Sequence, residues 1–164
     1  MIPRNIKEIL TENGLKALEF KEGSTPTAAT AAEKIGVEVD QIAKSLLFKG
    51  KDGHYFMIVC TGGLRTSTKK LKNLTGSKTR MARPEELMEV TGFKPGEVCP
   101  FGVKGVEIYL DESLKAWDTF YPAAGTDSSG VPVTWDQLLK ITGAGICDVG
   151  MDEVIEIPQT VTEL

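Results

Sequence analysis

One strong hairpin pattern constrains how this 164-residue chain can fold. Two apolar segments, residues 45–48 and 55–60, flank a polar turn that contains Gly50 and Gly53. The side chains of both segments alternate as paired strands require, and the turn length suits a hairpin. The second segment is the longest clean apolar run, and it is much shorter than the roughly 18 residues that span a bilayer. The pattern predicts a globular protein built around a sheet, with no membrane association.

Short helices with clear end signals surround the hairpin. Residues 28–34 are rich in alanine, Thr25 or Thr27 can cap them, and Gly36 can end the helix. A second helix over 134–142 begins with a Thr134/Gln137 capping box. Further helices are predicted over 4–20, with Gly14 interrupting or ending the regular part, over 66–74, and from 83–87 to a stop at Gly92. Further short strands are predicted over 78–81, 106–110, 119–121, 131–133 and 146–149.

The order of these elements predicts an α+β fold with a mixed, mostly antiparallel sheet, in a single domain over residues 1–164. A doubly wound dinucleotide fold is disfavoured because no GxGxxG motif follows a strand. The three cysteines are widely spaced and the only histidine is His54, which argues against a disulfide framework and a zinc site. We therefore expect no metal and no cofactor. The N-terminus lacks the apolar region of a signal peptide, which predicts a cytoplasmic protein.

Charge is distributed unevenly along the chain, whose net charge is −4. No acidic residue lies between Asp52 and Glu85, whereas acidic residues dominate from Gly105 onward. The basic residues of the first stretch are Arg65, Lys69, Lys70, Lys72, Lys78, Arg80 and Arg83. This basic island has two interpretations, an electrostatic footprint for a phosphate backbone or a solvated helix face that keeps the protein soluble.

Lys44 is the first candidate for chemistry, because it lies at the start of an apolar strand. The period of two places it on the same side of the strand as Leu46 and Phe48. If that side is the interior, the ammonium needs an anionic or polar partner, which a substrate phosphate or carboxyl could supply. If Lys44 lies on the solvated side instead, its side chain simply extends into water.

Two glycine-containing loops are the other candidates. In the first, Gly96 and Pro100 frame a segment whose N–H groups could converge on one point, as an oxyanion hole requires. In the second, over 123–130, small polar side chains could surround a small ligand. Each loop could equally be a plain connection. Cys99 is an unattractive nucleophile because no histidine is placed to activate it, and a small, half-buried residue is the preferred interpretation.

These segments together resemble the YbaK/EbsC-like aminoacyl-tRNA deacylases, relatives of the editing (insertion) domain of bacterial prolyl-tRNA synthetase. The resemblance extends over about residues 20–150 and depends on the order and spacing of several segments. The matching stretches are 27–37, 41–48, 71–84, 91–102, 124–138 and Asp148.

The resemblance implies an α+β fold around a mixed, barrel-like sheet, with a pocket for the aminoacylated 3′ end of a tRNA. It assigns the catalytic roles to Lys44, Gly96 and Pro100. The substrate-binding residues that it implies are Glu97, Val98, Cys99, Gly125, Thr126 and Asp127. The basic island would contact the acceptor stem through Arg65, Lys69, Lys70, Lys72, Lys78 and Arg80, without reading bases.

The resemblance therefore implies a trans-editing hydrolase that deacylates mischarged tRNA, carrying a small amino acid such as cysteine or alanine on tRNA-Pro. Its partners would be the aminoacyl-tRNA acceptor end and prolyl-tRNA synthetase, with no role for DNA. The alternative is a non-catalytic relative that binds tRNA or a synthetase. The lack of a histidine near residues 123–130, where some relatives have one, and the acidic C-terminal half favour that alternative.

Overall fold

The predicted hairpin forms the centre of the fold. The computed structural model describes residues 1–152. In it, β2 (Ile42–Gly50) pairs antiparallel with β3 (Tyr55–Thr61), from Ala43 opposite Thr61 to Lys49 opposite Tyr55. Both strands are longer than predicted. The alternation places Lys44 opposite Cys60, on the same face as Leu46 and Phe48, as the period of two predicts.

Two further strands extend the sheet beyond β3. β5 (Glu107–Asp111) lies parallel to β3, and β8 (Gly145–Cys147) lies parallel to β5. The α+β class and the mixed sheet are thereby confirmed. Antiparallel pairing is concentrated around β2, and the sheet stays open instead of closing into a barrel.

The other edge of β2 is shared by two short strands. β6 (Tyr121–Pro122) pairs in parallel with the first two residues of β2, and β4 (Thr79–Met81) pairs antiparallel with its last three. The Ala82 N–H donates to the Leu47 carbonyl at 2.9 Å, next to β4. Because alternate residues of a strand direct their main-chain groups to the same edge, the N–H and carbonyl of Ser45 face the opening between β6 and β4.

The remaining elements cover the two faces of the sheet, and two of the helices begin or end at the predicted caps. Thr27 caps the second helix and Gly36 ends it with φ +86°, while the third residue of the last helix, Gln137, completes the Thr134 capping box. The helices are α1 (Arg4–Glu12), α2 (Ala28–Ile35), α3 (Thr68–Thr75), α4 (Pro84–Thr91) and α5 (Trp135–Thr142), with 3₁₀ turns at Val39–Gln41 and Glu112–Ala116.

The helix predicted over 4–20 is wrong beyond Glu12. The chain leaves the helix through Gly14, at φ +67°, and forms a two-residue strand, β1 (Leu18–Glu19). This strand pairs with β7 (Ser129–Gly130), more than a hundred residues away in the chain. The apolar spacing over 4–20 resembles a continued helix, and only this long-range pairing overrides it.

Apolar side chains cover both faces of the sheet. Met57 and Val59 of β3 pack with Phe101 and Phe120 on one face, and Ile58 packs with other buried side chains on the opposite face. Within residues 1–152, no helix is long and apolar enough to cross a membrane. The single domain predicted over 1–164 includes residues 153–164, which lie outside the described range.

Candidate functional site

A cavity of about 190 Å³ lies beside the open stretch of β2. Lys44 and Ser45 of β2 form part of its wall, and Pro26, Gly96 and Ser129 approach from three other segments. The remaining lining is mostly apolar and comes from Thr25, Thr27, Ala28, Ala31, Ile35, Ile42, Ala43, Leu46, Val98, Tyr121 and Ala123. Pockets for drug-sized ligands measure roughly 300–1,000 Å³, so this cavity suits a group the size of an amino acid rather than a whole nucleotide.

The ammonium of Lys44 is held by a main-chain carbonyl. Lys44 Nζ donates to the Leu64 carbonyl oxygen at 2.6 Å, and Lys44 forms no ion pair with a carboxylate of residues 1–152. An ammonium has three N–H donors, so two are left for another acceptor. Lys44 is half-buried and lines the cavity, and its ammonium has no carboxylate partner in this part of the chain.

Ser45 adds a polar group that sequence reasoning missed. Its residue is only 8% exposed, and its hydroxyl makes no hydrogen bond within the described part of the chain. Buried hydroxyls are almost always hydrogen-bonded, so an orphan in a cavity wall indicates a position where a polar ligand group can bind. The sequence offers only a weak signal for it, a serine inside an apolar strand next to a lysine.

The loop from Gly96 to Pro100 contributes only in part to the cavity. Gly96 and Val98 line it, and Gly96 has φ +88° with Pro26 so close that a Cβ would lie 3.1 Å from the Pro26 carbonyl oxygen. Glu97 instead accepts a hydrogen bond from the Lys94 N–H at 3.1 Å. Gly96 therefore sets the close contact between two walls of the cavity.

Cys99 and Pro100 lie behind the wall rather than in it. Both are buried, and Cys99 packs in the core with its thiol directed to the Phe101 carbonyl. Burial raises the pKa of the Cys99 thiol to about 12. The thiol is therefore protonated at neutral pH. Cys99 was predicted to be a small, half-buried residue, and the structure buries it completely. The structure does not bring it to the cavity lining where a substrate contact was predicted.

Gly125, Thr126 and Asp127 are likewise outside the cavity lining. Asp127 supports the site from behind, since its carbonyl accepts from the Thr25 N–H at 2.6 Å and its carboxylate from the Gly23 N–H at 3.1 Å. Thr126 donates to the hydroxyl of Ser129, a lining residue, at 2.8 Å. These hydrogen bonds hold the wall in place, and the direct substrate contacts of Gly125, Thr126 and Asp127 stay a prediction.

Comparison with known proteins agrees with this geometry. A protein-family model for the aminoacyl-tRNA editing domain matches residues 22–141, a range that includes every cavity-lining segment. The chain belongs to the aminoacyl-tRNA editing domain family.

Several relatives of this editing domain are known. The uncharacterized protein YwhH of Bacillus subtilis (strain 168) is 42% identical over 122 residues, which are 74% of this chain and 78% of YwhH. The proline–tRNA ligase of Thermosipho melanesiensis is 37% identical over 95 residues, which are 57% of this chain and 17% of the ligase. The matched segment makes up about a sixth of that ligase, so the similarity concerns one part of the ligase and not its whole activity.

Solved structures share the fold. The crystal structure of a proposed trans-editing enzyme for prolyl tRNA synthetase superposes with a TM-score of 0.81 at 37% identity, covering 90% of this chain and 96% of that one. Hypothetical protein APE2540 superposes with a TM-score of 0.83 at 26% identity, covering 90% and 100%. Both similarities extend over nearly the whole described editing domain.

The basic island of the editing domain divides into paired and unpaired side chains. Lys70 pairs with Asp152 at 3.0 Å, and Arg80 binds Glu86 through two hydrogen bonds of 2.7 and 2.9 Å. The island residues that are exposed and have no carboxylate partner among residues 1–152 are Arg65, Lys69, Lys72, Lys78 and Arg83, and the nearby Lys51 is likewise exposed and unpaired.

These unpaired lysines border two adjoining grooves at the far end of β2. Lys51 and Lys78 line one groove, and Lys69, Lys72 and Lys78 line the other. Lys51 follows β2 directly, and β4 occupies the same edge of β2 that opens into the cavity. The distance from Ser45 to Lys51 along an extended chain is roughly 20 Å at about 3.3 Å per residue.

Proposed function

We propose that this editing domain is a trans-editing hydrolase that removes a small amino acid, such as cysteine or alanine, from mischarged tRNA-Pro. One observation carries the proposal: a lysine ammonium and a glycine-containing loop share a small cavity in a chain of the editing family. The similarity to proline–tRNA ligases and to a proposed trans-editing enzyme supports the choice of tRNA-Pro. This function places the protein in the cytoplasm, where translation takes place.

The reaction needs no strong nucleophile, because an aminoacyl ester is already activated. Water attacks the ester carbonyl carbon, the bond from that carbon to the ribose oxygen breaks, and the ribose hydroxyl leaves with a proton. The products are the free amino acid and deacylated tRNA. Positioning the water and stabilising the developing oxyanion supply the rate enhancement. The protonated Cys99 thiol takes no part.

Lys44 and the Gly96 loop have complementary roles in this proposal. The two remaining donors of the Lys44 ammonium hold the ester or the adjacent terminal phosphate at the cavity mouth. Gly96 and Val98 make no main-chain N–H hydrogen bond to residues 1–152, so their N–H groups are available to the oxyanion. Pro100, buried behind the loop, restricts the conformation of these groups.

The size of the cavity favours a small amino acid. A volume of about 190 Å³ with alanine and valine side chains in its walls excludes a bulky aromatic side chain. Such a cavity is weaker at rejecting an amino acid smaller than its best substrate, because one methylene changes affinity by only about 1–3 kcal/mol. We therefore expect activity on both alanyl and cysteinyl esters.

The unpaired lysines supply the contact with the tRNA body. With the esterified adenosine at the cavity, the lysine-lined grooves lie roughly 20 Å away along β2, a reach of a few nucleotides. Lys69, Lys72 and Lys78 would neutralise phosphates of the acceptor end, while Lys70 and Arg80, already paired, contribute less. Binding should then weaken linearly in log–log plots against salt.

The test is hydrolysis of tRNA-Pro charged with cysteine, alanine or proline, followed by release of labelled amino acid. We expect wild type to hydrolyse the alanyl or cysteinyl ester and Lys44→Ala to lose that activity. Lys72→Glu combined with Lys78→Glu should raise KM with little change in kcat, whereas Lys140→Glu, an exposed lysine on α5, should match wild type. Hydrolysis by Lys44→Ala at the wild-type rate would contradict the assigned site.

A non-catalytic tRNA-binding role is the second candidate. It is favoured by one observation, that the Lys44 ammonium is already bound to the Leu64 carbonyl. This alternative predicts salt-sensitive binding of tRNA without turnover of any aminoacyl ester. The same assay distinguishes the two functions.

A further inference from the structure

The turn after β3 determines where the Lys44 ammonium lies. Leu64, whose carbonyl holds Lys44 Nζ at 2.6 Å, ends a turn that its own N–H closes by donating to the Thr61 carbonyl at 3.1 Å. This carbonyl is the hydrogen-bond partner that residues 1–152 give to the ammonium. Because the lysine side chain is flexible, a movement of the turn that shifts the Leu64 carbonyl would also shift the Lys44 ammonium.

The 3₁₀ turn before β2 fixes one side of this turn. The Asp40 carboxylate accepts a hydrogen bond from the Gly63 N–H at 2.9 Å. Gly62 packs so tightly that a Cβ there would lie 2.3 Å from the Val39 carbonyl oxygen and 3.0 Å from the Cβ of Ala28, a residue that lines the cavity. Gly62 does not have a positive φ, so close approach rather than backbone conformation requires the glycine.

The segment after the turn is fixed from the other side. The Met151 N–H donates to the Arg65 carbonyl at 2.7 Å, and Thr66 forms a bridge with Gly150. A Cβ on Gly150 would lie 2.9 Å from a methyl carbon of Leu64, which shows how closely these segments pack. The Leu64 carbonyl is thus held between two packed segments.

We propose that Asp40 and Gly62 are positioning residues for Lys44. They hold the turn that presents the Leu64 carbonyl, and the carbonyl in turn directs the ammonium with two donors left for the substrate. The inference rests on the proposed function of Lys44 as the group that holds the ester. Asp40 is exposed and lines no part of the cavity, so its effect must pass through the turn.

The experiment compares Asp40→Ala, Asp40→Asn and Gly62→Ala with a matched control, Asp118→Ala, which removes an exposed aspartate with no ion pair in residues 1–152. Asparagine keeps the oxygen that accepts from the Gly63 N–H. We expect Asp40→Ala and Gly62→Ala to lower kcat roughly tenfold with KM little changed, as small misplacements of catalytic groups do. Asp40→Asn and the control should retain wild-type kcat.

A second readout does not depend on activity. The folded variants are treated with N-hydroxysuccinimide acetate, and acetylation of Lys44 is quantified by mass spectrometry against the exposed Lys104. We expect severalfold faster acetylation of Lys44 in Asp40→Ala and Gly62→Ala, because the amine has lost its fixed acceptor, and no change in Asp40→Asn. If Gly62→Ala does not fold, the two Asp40 variants carry the test alone.

The outcomes separate the positioning role from the proposed function. Full activity of Lys44→Ala would refute the function of Lys44, while the acetylation pattern would still decide whether Asp40 holds the ammonium. Wild-type kcat and acetylation in Asp40→Ala would overturn the positioning role. A loss of kcat without faster acetylation of Lys44 would also overturn it, because the effect would then be a general loss of structure.

Discussion

Two serines of the same cavity should respond in opposite ways to the same substitution. The Ser45 hydroxyl is buried without a partner in the described part of the chain. The Ser129 hydroxyl, in a residue only 2% exposed, accepts from the Ala124 N–H at 3.0 Å and from the Thr126 hydroxyl at 2.8 Å. We therefore expect Ser45→Ala to stabilise the fold and Ser129→Ala to destabilise it.

The magnitudes follow from hydrogen-bond energetics. Leaving a buried polar group without a partner costs about 1–3 kcal/mol, and the Ser45 hydroxyl lies at the low end because its cavity opens to solvent. Its removal should raise the free energy of unfolding by about 1 kcal/mol, or Tm by roughly 2–4 °C for a domain of this size. Ser129→Ala leaves the Ala124 N–H unpaired and should lower the free energy of unfolding by about 1–3 kcal/mol.

The assay is thermal unfolding at neutral pH, followed by steady-state deacylation with the stable variants. If the Ser45 hydroxyl binds a polar group of the substrate, Ser45→Ala should raise KM while Tm increases. A decrease of Tm in both variants would refute the reasoning, because it would show that the Ser45 hydroxyl has a stabilising partner in the folded state. An unchanged KM would show that the hydroxyl does not contact the substrate.

Three further predictions concern the loop, the acid stability and the thiols. Gly96→Ala should lower kcat and also lower the free energy of unfolding by roughly 1–2 kcal/mol, the cost of a left-handed φ for alanine, as deacylation and denaturant titration would show. Arg80 holds the pKa of the Glu86 carboxyl well below its usual value of about 4.3. The stabilisation that this ion pair gives to the fold is therefore present above the usual value and is lost as the pH falls towards the lowered pKa. Glu86→Gln should make Tm decline less steeply below pH ~5. Burial raises the pKa of both Cys60 and Cys99 to about 12, so iodoacetamide at pH ~8 should label them in urea but not in the folded protein, as intact mass would show.

Local sequence signals predicted much of the fold correctly. The caps of α2 and α5 and the β2–β3 hairpin are encoded within a few residues of each element, by Thr27, Gly36 and the Thr134/Gln137 pair. The prediction of a helix was wrong over 13–20, because β1 exists only through its pairing with Ser129–Gly130. The parallel pairing of β5 with β3 and of β8 with β5 also joins distant segments, so local patterns do not show which strands of the mixed sheet run parallel.

The candidate site was predictable only where the residue type itself suggests chemistry. Lys44 and Gly96 stand out in the sequence and reach the cavity. Ser45 does not stand out, because a hydroxyl becomes notable only when its burial and lack of a partner are known. Asp127 lies outside the cavity lining, and its carbonyl accepts from the Thr25 N–H, a contact between segments about a hundred residues apart that local sequence patterns do not reveal.

The most direct test of the account is whether the cavity binds the aminoacylated end of a tRNA. The probe is adenosine that carries alanine through a 3′-amide, which cannot be hydrolysed as an ester, titrated into isotope-labelled protein and followed by the amide resonances. The account predicts saturable shifts at Ser45, Gly96 and Val98 that are lost in Lys44→Ala. Shifts confined to the lysine-lined grooves around Lys72 and Lys78, with none at the cavity, would contradict it.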